Sequence, residues 1–464
     1  MKGSALMKKL LLMALAMLCL TLPALADTLH AGPADSGLPS ITEVLAAAQP
    51  GDEILLAGGV YDASRETFPI MVDKAVTLRP AEGASPVIAS PKQVIAMKIT
   101  GQGAMVTGVR FEHLRCAIWV LADNVTVTDC AMVLADETWR TSSSGLWIAG
   151  AKNMVLTDCT FEGCSVSIAG PPVTGSVSDK PVLTAMFEVG EDLDFFTTHT
   201  IERNTVNGEP LCYLIGAKNL TWTDEVGSII AVLCEDVVFE NLNVDFTSIG
   251  IQLAYCKGVE VKDCSASDSG LFGVYVMKSD DCAIRSTRAD RCTHGIDIRD
   301  VDQALVVDCI TNDCGQGTFL SWCRNSLVLR GEMLNNGIGF FSASGGNNHV
   351  DQCRLEGNDL GSYIQKEPYI TFTNTQIRNN SVCGIRLLSS GMFSIGNTYA
   401  DNFVGNIALD SMILLHMDCV FTNSSDCDMF IRNANAAKLI GNTFDGPMTD
   451  SCKVTDTENI ILVE

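Results

Sequence analysis

Residues 250–264 read GIQLAYCKGVEVKDC, and this stretch decides the fold because the chain keeps rewriting it. Residues 273–287 read GVYVMKSDDCAIRST, 295–309 read GIDIRDVDQALVVDC, and 384–398 read GIRLLSSGMFSIGNT. Each phrase opens on glycine, alternates apolar and other side chains, breaks at a polar turn, and alternates again. The leading glycines fall at Gly250, Gly273, Gly295, Gly317, Gly339, Gly361, Gly384 and Gly405, so the spacing stays between 21 and 23 residues. Weaker copies start at Cys116, Gly145 and Gly227.

A period of two, carried by Val, Ile, Leu, Phe and Thr, is the pattern of strands. Short strands repeating every 22 residues between Gly, Asp, Asn and Ser turns make one coil of a parallel solenoid. No Leu-rich second half is present to form the helix of a leucine-rich repeat. The reading is therefore all-β, a single-stranded right-handed parallel β-helix whose coils stack about 4.8 Å apart. Columns such as Ile251, Val274 and Ile296 should point inward. The residues between them should point outward.

Before the repeats, the chain opens MKGSALMKKLLLMALAMLCLTLPALADT, with lysines ahead of a short apolar run and Ala24-Leu25-Ala26 after it. That is the pattern of an export signal, so residues 1–26 are set apart as a signal peptide. Residues 27–464 read as one β-helix domain with an irregular insertion at about 171–226. No later stretch reaches membrane-spanning length. The composition holds 31 basic against 55 acidic residues, a net charge of −24, and cleavage would remove three more lysines. So acidic a surface repels nucleic acid and anionic membrane.

A solenoid needs its ends covered. Ser40-Ile41-Thr42-Glu43, followed by VLAAA, reads as a capping box opening a short helix over the first coil. Within the irregular region, NTVNGEPLCYLIGAKNLT at 204–221 holds an Asn207-Gly208 hairpin turn. That segment, SIIAVLCEDVVFENL at 228–242 and GIQLAYCKGVEVKDC resemble the NosD-like family of periplasmic and surface β-helix proteins. The resemblance covers residues 201–360 well. It implies a right-handed β-helix of the carbohydrate-binding and sugar-hydrolase type, and it carries over no catalytic residue.

Copper would need clustered Cys, Met or His. The six histidines are scattered, and no Cys-x-x-Cys occurs. In His416-Met417-Asp418-Cys419, alternation sends His416 and Cys419 to opposite faces, so no metal site is assigned. No cofactor is called for, and no calcium motif supports the Ca2+ a uronate-cleaving site could use. Eighteen cysteines remain after cleavage. Secretion favours disulfides, but many sit at column positions such as Cys264, Cys309 and Cys353, two coils or about 9.6 Å apart, beyond disulfide reach. Mostly free, stacked thiols are expected.

Asp280-Asp281 and His294-Gly295 echo a polygalacturonase, yet the Asp pair lies at a turn that elsewhere carries Lys257-Gly258. The outward positions Tyr275, Asp297 and Arg299, with His294 beside them, form the best polar cluster for lyase chemistry. One outward column stands out: Trp147, Ile229, Gln252, Tyr275, Asp297, Phe319, Phe341, Tyr363 and Arg386. Aromatics on a face meant to meet water need a reason. Tyr275, Asp297, Phe319, Phe341, Tyr363 and Arg386 are therefore the expected ligand-binding residues, for a polysaccharide. A lyase or hydrolase acting on an acidic glycan, or a purely structural surface protein, are the alternatives.

Overall fold

The computed structural model describes residues 26–463, apart from 90–93, 114, 135–142, 172–191, 448–450 and 458–459. Residues 1–25 of the expected export signal and 172–191 of the expected insertion lie outside them. The fold is a parallel β-solenoid, with stacked coils and very little helix. The helix Ile41–Ala47 is the expected cap. Ser40 Oγ accepts from the Glu43 N–H at 3.1 Å, and Glu43 accepts from the Ser40 N–H at 2.8 Å. The helix buries Ile41, Val44 and Leu45. A second carboxylate, Glu66, accepts from the N–H groups of Ile41 and Thr42, answering donors that every helix start leaves open. A strand before the helix, Thr28–Ala31, pairs with Glu53–Leu56.

The coils fall into two stacks. In the first, three short strands per coil build a sheet running from Thr28–Ala31 to Thr200–Glu202, a second from Ile70–Val72 to Val166–Ala169, and a third ending at Thr205–Val206. The first stack then ends in a reversal. Thr205–Val206 pairs antiparallel with Glu209–Ile215 across Asn207 and Gly208, both at positive φ, as a two-residue hairpin requires. The second stack follows, and its widest sheet starts at Glu209–Ile215 and continues through six-residue strands such as Ile249–Ala254, Phe272–Met277 and His294–Arg299.

Register explains the glycines. In each of these long strands the glycine backs onto the next coil. A Cβ built at Gly273 would lie 2.7 Å from the Gly295 carbonyl oxygen, and at Gly361 2.4 Å from that of Gly384. No side chain fits there, so glycine recurs with the coil. Val274, Ile296 and their partners are buried in the core, as alternation requires.

The two stacks meet. The Gln252 side chain, outward on Ile249–Ala254, donates from Nε2 to the Ile168 carbonyl at 2.6 Å and accepts the Ile168 N–H at 3.3 Å. Ser248 Oγ accepts from the Ser165 N–H at 2.9 Å. Leu146 and Trp147 of the first stack share one buried cluster with Phe272, Tyr275 and Met277 of the second. The outer face of the wide sheet is thus covered where the stacks join and less so beyond.

Candidate functional site

The site expected from sequence is the outer face of the wide sheet. Backbone register aligns its central column as Gln252, Tyr275, Asp297, Phe319, Phe341, Tyr363 and Arg386 on successive strands. Two members are corrected. Trp147 lies in a sheet of the first stack and is fully buried. Ile230, not Ile229, stands opposite Gln252, and Ile229 faces the core. The first phrase of this sheet has one extra residue between its glycine and its outward position.

Exposure divides the column. Tyr275 and Asp297 are fully buried and Phe319 is 8% exposed, whereas Phe341, Tyr363 and Arg386 are half-buried. The expectation that Tyr275, Asp297 and Phe319 face water is therefore corrected: in Phe272–Met277 and His294–Arg299 every residue on both faces is buried. Alternation reports which face a side chain takes. It does not report whether another part of the chain covers that face.

At the covered end, the structure assembles the four residues singled out for lyase chemistry. Asp297 accepts from His294 Nδ1 at 2.5 Å and from Arg299 Nε and Nη2 at 2.6 and 2.7 Å. Burial pushes the Asp297 carboxyl up, but the Arg299 guanidinium and the His294 bond outweigh it and hold the group below its ordinary value. For Arg299, burial pulls the guanidinium down and Asp297 more than restores it. The guanidinium lies 4.8 Å from the Phe319 ring centroid and 5.7 Å from that of Tyr275. Burial pushes the Tyr275 hydroxyl up. A general base must reach its substrate. At this depth the cluster acts as a clamp that fixes the rings around it.

From that clamp a row of rings leads outward. Phe319 and Phe341 stack at 4.6 Å with planes 2° apart. Phe341 meets Tyr363 edge to face at 5.5 Å. Arg386 lies 5.5 Å over the Tyr363 ring, near enough for cation–π attraction. Half-buried Ile407 and Phe430 continue the column. Each ring rides on a backbone bonded to the coils on both sides, which fixes the spacing of the column. The arrangement presents a rigid strip of apolar ring faces with one guanidinium on it.

His416 and Cys419 are not on opposite faces. Both are fully buried, because Asp418, at φ 52°, turns the chain between them and resets the alternation. Among the described residues no group of three His, Cys, Asp or Glu side chains is placed to hold a metal ion.

Residues 222–382 match the family described as periplasmic copper-binding protein (NosD), and residues 26–208 match one described as protein of unknown function (DUF1565). No curated protein matches the chain in sequence. Similar solved structures include the Azotobacter vinelandii mannuronan C-5 epimerase AlgE4 A-module, at 12% identity over 91% of this chain and 93% of that one, with a TM-score of 0.31. The periplasmic alginate epimerase AlgG is 12% identical over 90% and 87%, TM-score 0.25. Pectate lyase Pel9A is 12% identical over 89% and 79%, TM-score 0.23. Such scores transfer no residue, substrate or activity. No helix among the described residues is long and apolar enough to cross a membrane. The repeating coil and its register make this chain a parallel β-helix protein, and residues 222–382 of it are similar to the NosD family.

Proposed function

We propose that the chain is an exported β-helix that binds a polysaccharide along the open part of its wide sheet, from Phe341 through Tyr363 to Arg386. The observation that carries this reading is the row of half-exposed aromatic rings, in contact and held at coil spacing on a rigid face. Sugar rings turn apolar C–H faces toward the partly negative face of an aromatic ring. A shallow row suits an extended chain better than a small molecule, which needs a concave pocket. Arg386 supplies donors for hydroxyls or a carboxylate. Export rests on the charged, apolar and small-residue pattern of residues 1–26.

Affinity electrophoresis of the mature protein through acidic and neutral polysaccharides tests the proposal. Wild type is expected to be retarded by at least one glycan, and the Phe341→Ser, Tyr363→Ser double variant to run free with a nearly unchanged Tm. Retardation that survives the double change places binding elsewhere, and unfolding of the variant makes the rings structural. Absorbance of unsaturated uronate or release of reducing ends, lost on Asp297→Asn, would favour lyase or hydrolase chemistry at the His294 cluster instead.

A further inference from the structure

A second feature stands at the corner where the wide sheet turns into the next. Past the strand Gln316–Ser321 the chain reaches Trp322, which is 53% exposed. Trp119 and Trp147, by contrast, are buried. Trp322 takes the left-handed turn conformation, φ 55°, that the neighbouring coils of the second stack use at this position. Neighbouring coils place Lys278, Asp300, Ser344 and Lys366 there. These are polar side chains that water solvates, whereas the indole leaves a large apolar ring half exposed.

That corner is concave. Asp280, Asp300, Asp302 and Arg324 rim a cleft of about 400 Å³, with Val301 buried in its floor and Trp322 as a wall. The backbone fixes it, because Asp280, Asp302, Arg324 and Gly346 are bridged in order from coil to coil. Gly346 keeps the upper side open. A Cβ there would touch only Pro368, at 4.0 Å. Asp300 is 3.4 Å from Lys278 Nζ, and Asp302 accepts from Asn325 Nδ2 at 2.9 Å. Asp280 and Arg324 make no ion pair among the described residues.

We propose that this cleft is a separate binding site for an uncharged sugar residue of a glycan. The indole face takes the apolar side of the ring. Carboxylates accept and the guanidinium donates, matching the paired hydroxyls at the ring edge. Three carboxylates against Arg324 and Lys278 leave the rim net negative, which disfavours a uronate. With Lys278 already paired to Asp300 and Arg324 in the rim, the excess is a single negative charge on an open surface, too little to select an ammonium group over hydroxyls. The site is independent of the Phe341–Arg386 strip and can be present or absent without it.

Titration calorimetry with cellohexaose, laminarihexaose, mannohexaose, hexagalacturonate and a glucosamine hexamer tests this, with tryptophan fluorescence as a second readout. At least one neutral hexamer is expected to bind wild type, and to bind the Phe341→Ser, Tyr363→Ser variant equally well. Trp322→Ala should weaken that binding by at least about tenfold, a loss in the range of one aromatic stacking contact. Trp322→Phe should retain most of it, and both exposed-site variants should keep the wild-type Tm. The proposal falls if no neutral hexamer binds, if Trp322→Ala binds as wild type does, or if a charged hexamer binds more tightly than every neutral one. Loss in the double variant with retention in Trp322→Ala would assign the neutral glycan to the strip.

Discussion

His416 shows what a single residue can cost. It lies in the core beside the stacked Tyr399 and Phe421 rings, at 5.8 and 5.6 Å, and neither ring nitrogen has a hydrogen-bond partner among the described residues. Burial holds its pKa at about 3, against an ordinary value of 6.5. The folded state therefore binds fewer protons than the unfolded one between those values. Stability is fully present above pH 6.5 and is lost as the solution is acidified, by up to about 1.4 kcal/mol per pH unit. His416→Leu should remove that loss. Its Tm is expected to exceed that of wild type increasingly as pH falls from 7 to 5, and a gap that does not change with pH would refute this account. Sequence did not locate His416 correctly, since strict alternation fails wherever a left-handed residue such as Asp418 intervenes.

At the level of elements, the glycine column and the capping box were legible because each is a local necessity with a fixed spacing. The turn columns were not. Cys292, Cys314, Asn336, Asn358, Asn380 and Asn402 occupy one corner of successive coils. Each N–H is taken by the side chain one coil on: Cys292 by Cys314 Sγ at 3.4 Å, Cys314 by Asn336 Oδ1 at 2.8 Å, and Asn336 by Asn358 Oδ1 at 2.8 Å. The Asn358 amide also donates to the Met333 carbonyl at 3.0 Å. Thiol and amide thus do the same job, which residue-type reading separates into hydrophobe and polar turn. Asn358→Leu keeps the volume but leaves the buried Asn336 N–H without its acceptor. It should cost about 1–3 kcal/mol, the penalty of one stranded group. Denaturant unfolding that shows less than about 0.5 kcal/mol, as at an ordinary surface site, would mean that the ladder is not a source of stability.

Across the whole molecule, all eighteen cysteines among the described residues are free, and all but Cys452 are buried. This agrees with the stacked-thiol expectation from coil spacing. Native protein prepared without oxidant should expose at most one thiol to a colorimetric reagent, and denatured mature protein close to eighteen. A count below about four after unfolding would point to the disulfide framework usual in exported chains. The solenoid could be read from the repeat, and so could the order of the outward column. The joining of the two stacks could not, because the groups that make it, Gln252 and Ser248, look like ordinary outward residues of their own coils. That junction also bears on self-association. The strand Val166–Ala169 ends its sheet, and the last strand of a parallel stack offers a row of amides and carbonyls on which another chain could grow. With its primary amide on both polar groups of Ile168, Gln252 occupies that template. Together with Ser248, which takes the Ser165 N–H, it occupies part of the edge that a neighbouring chain would need.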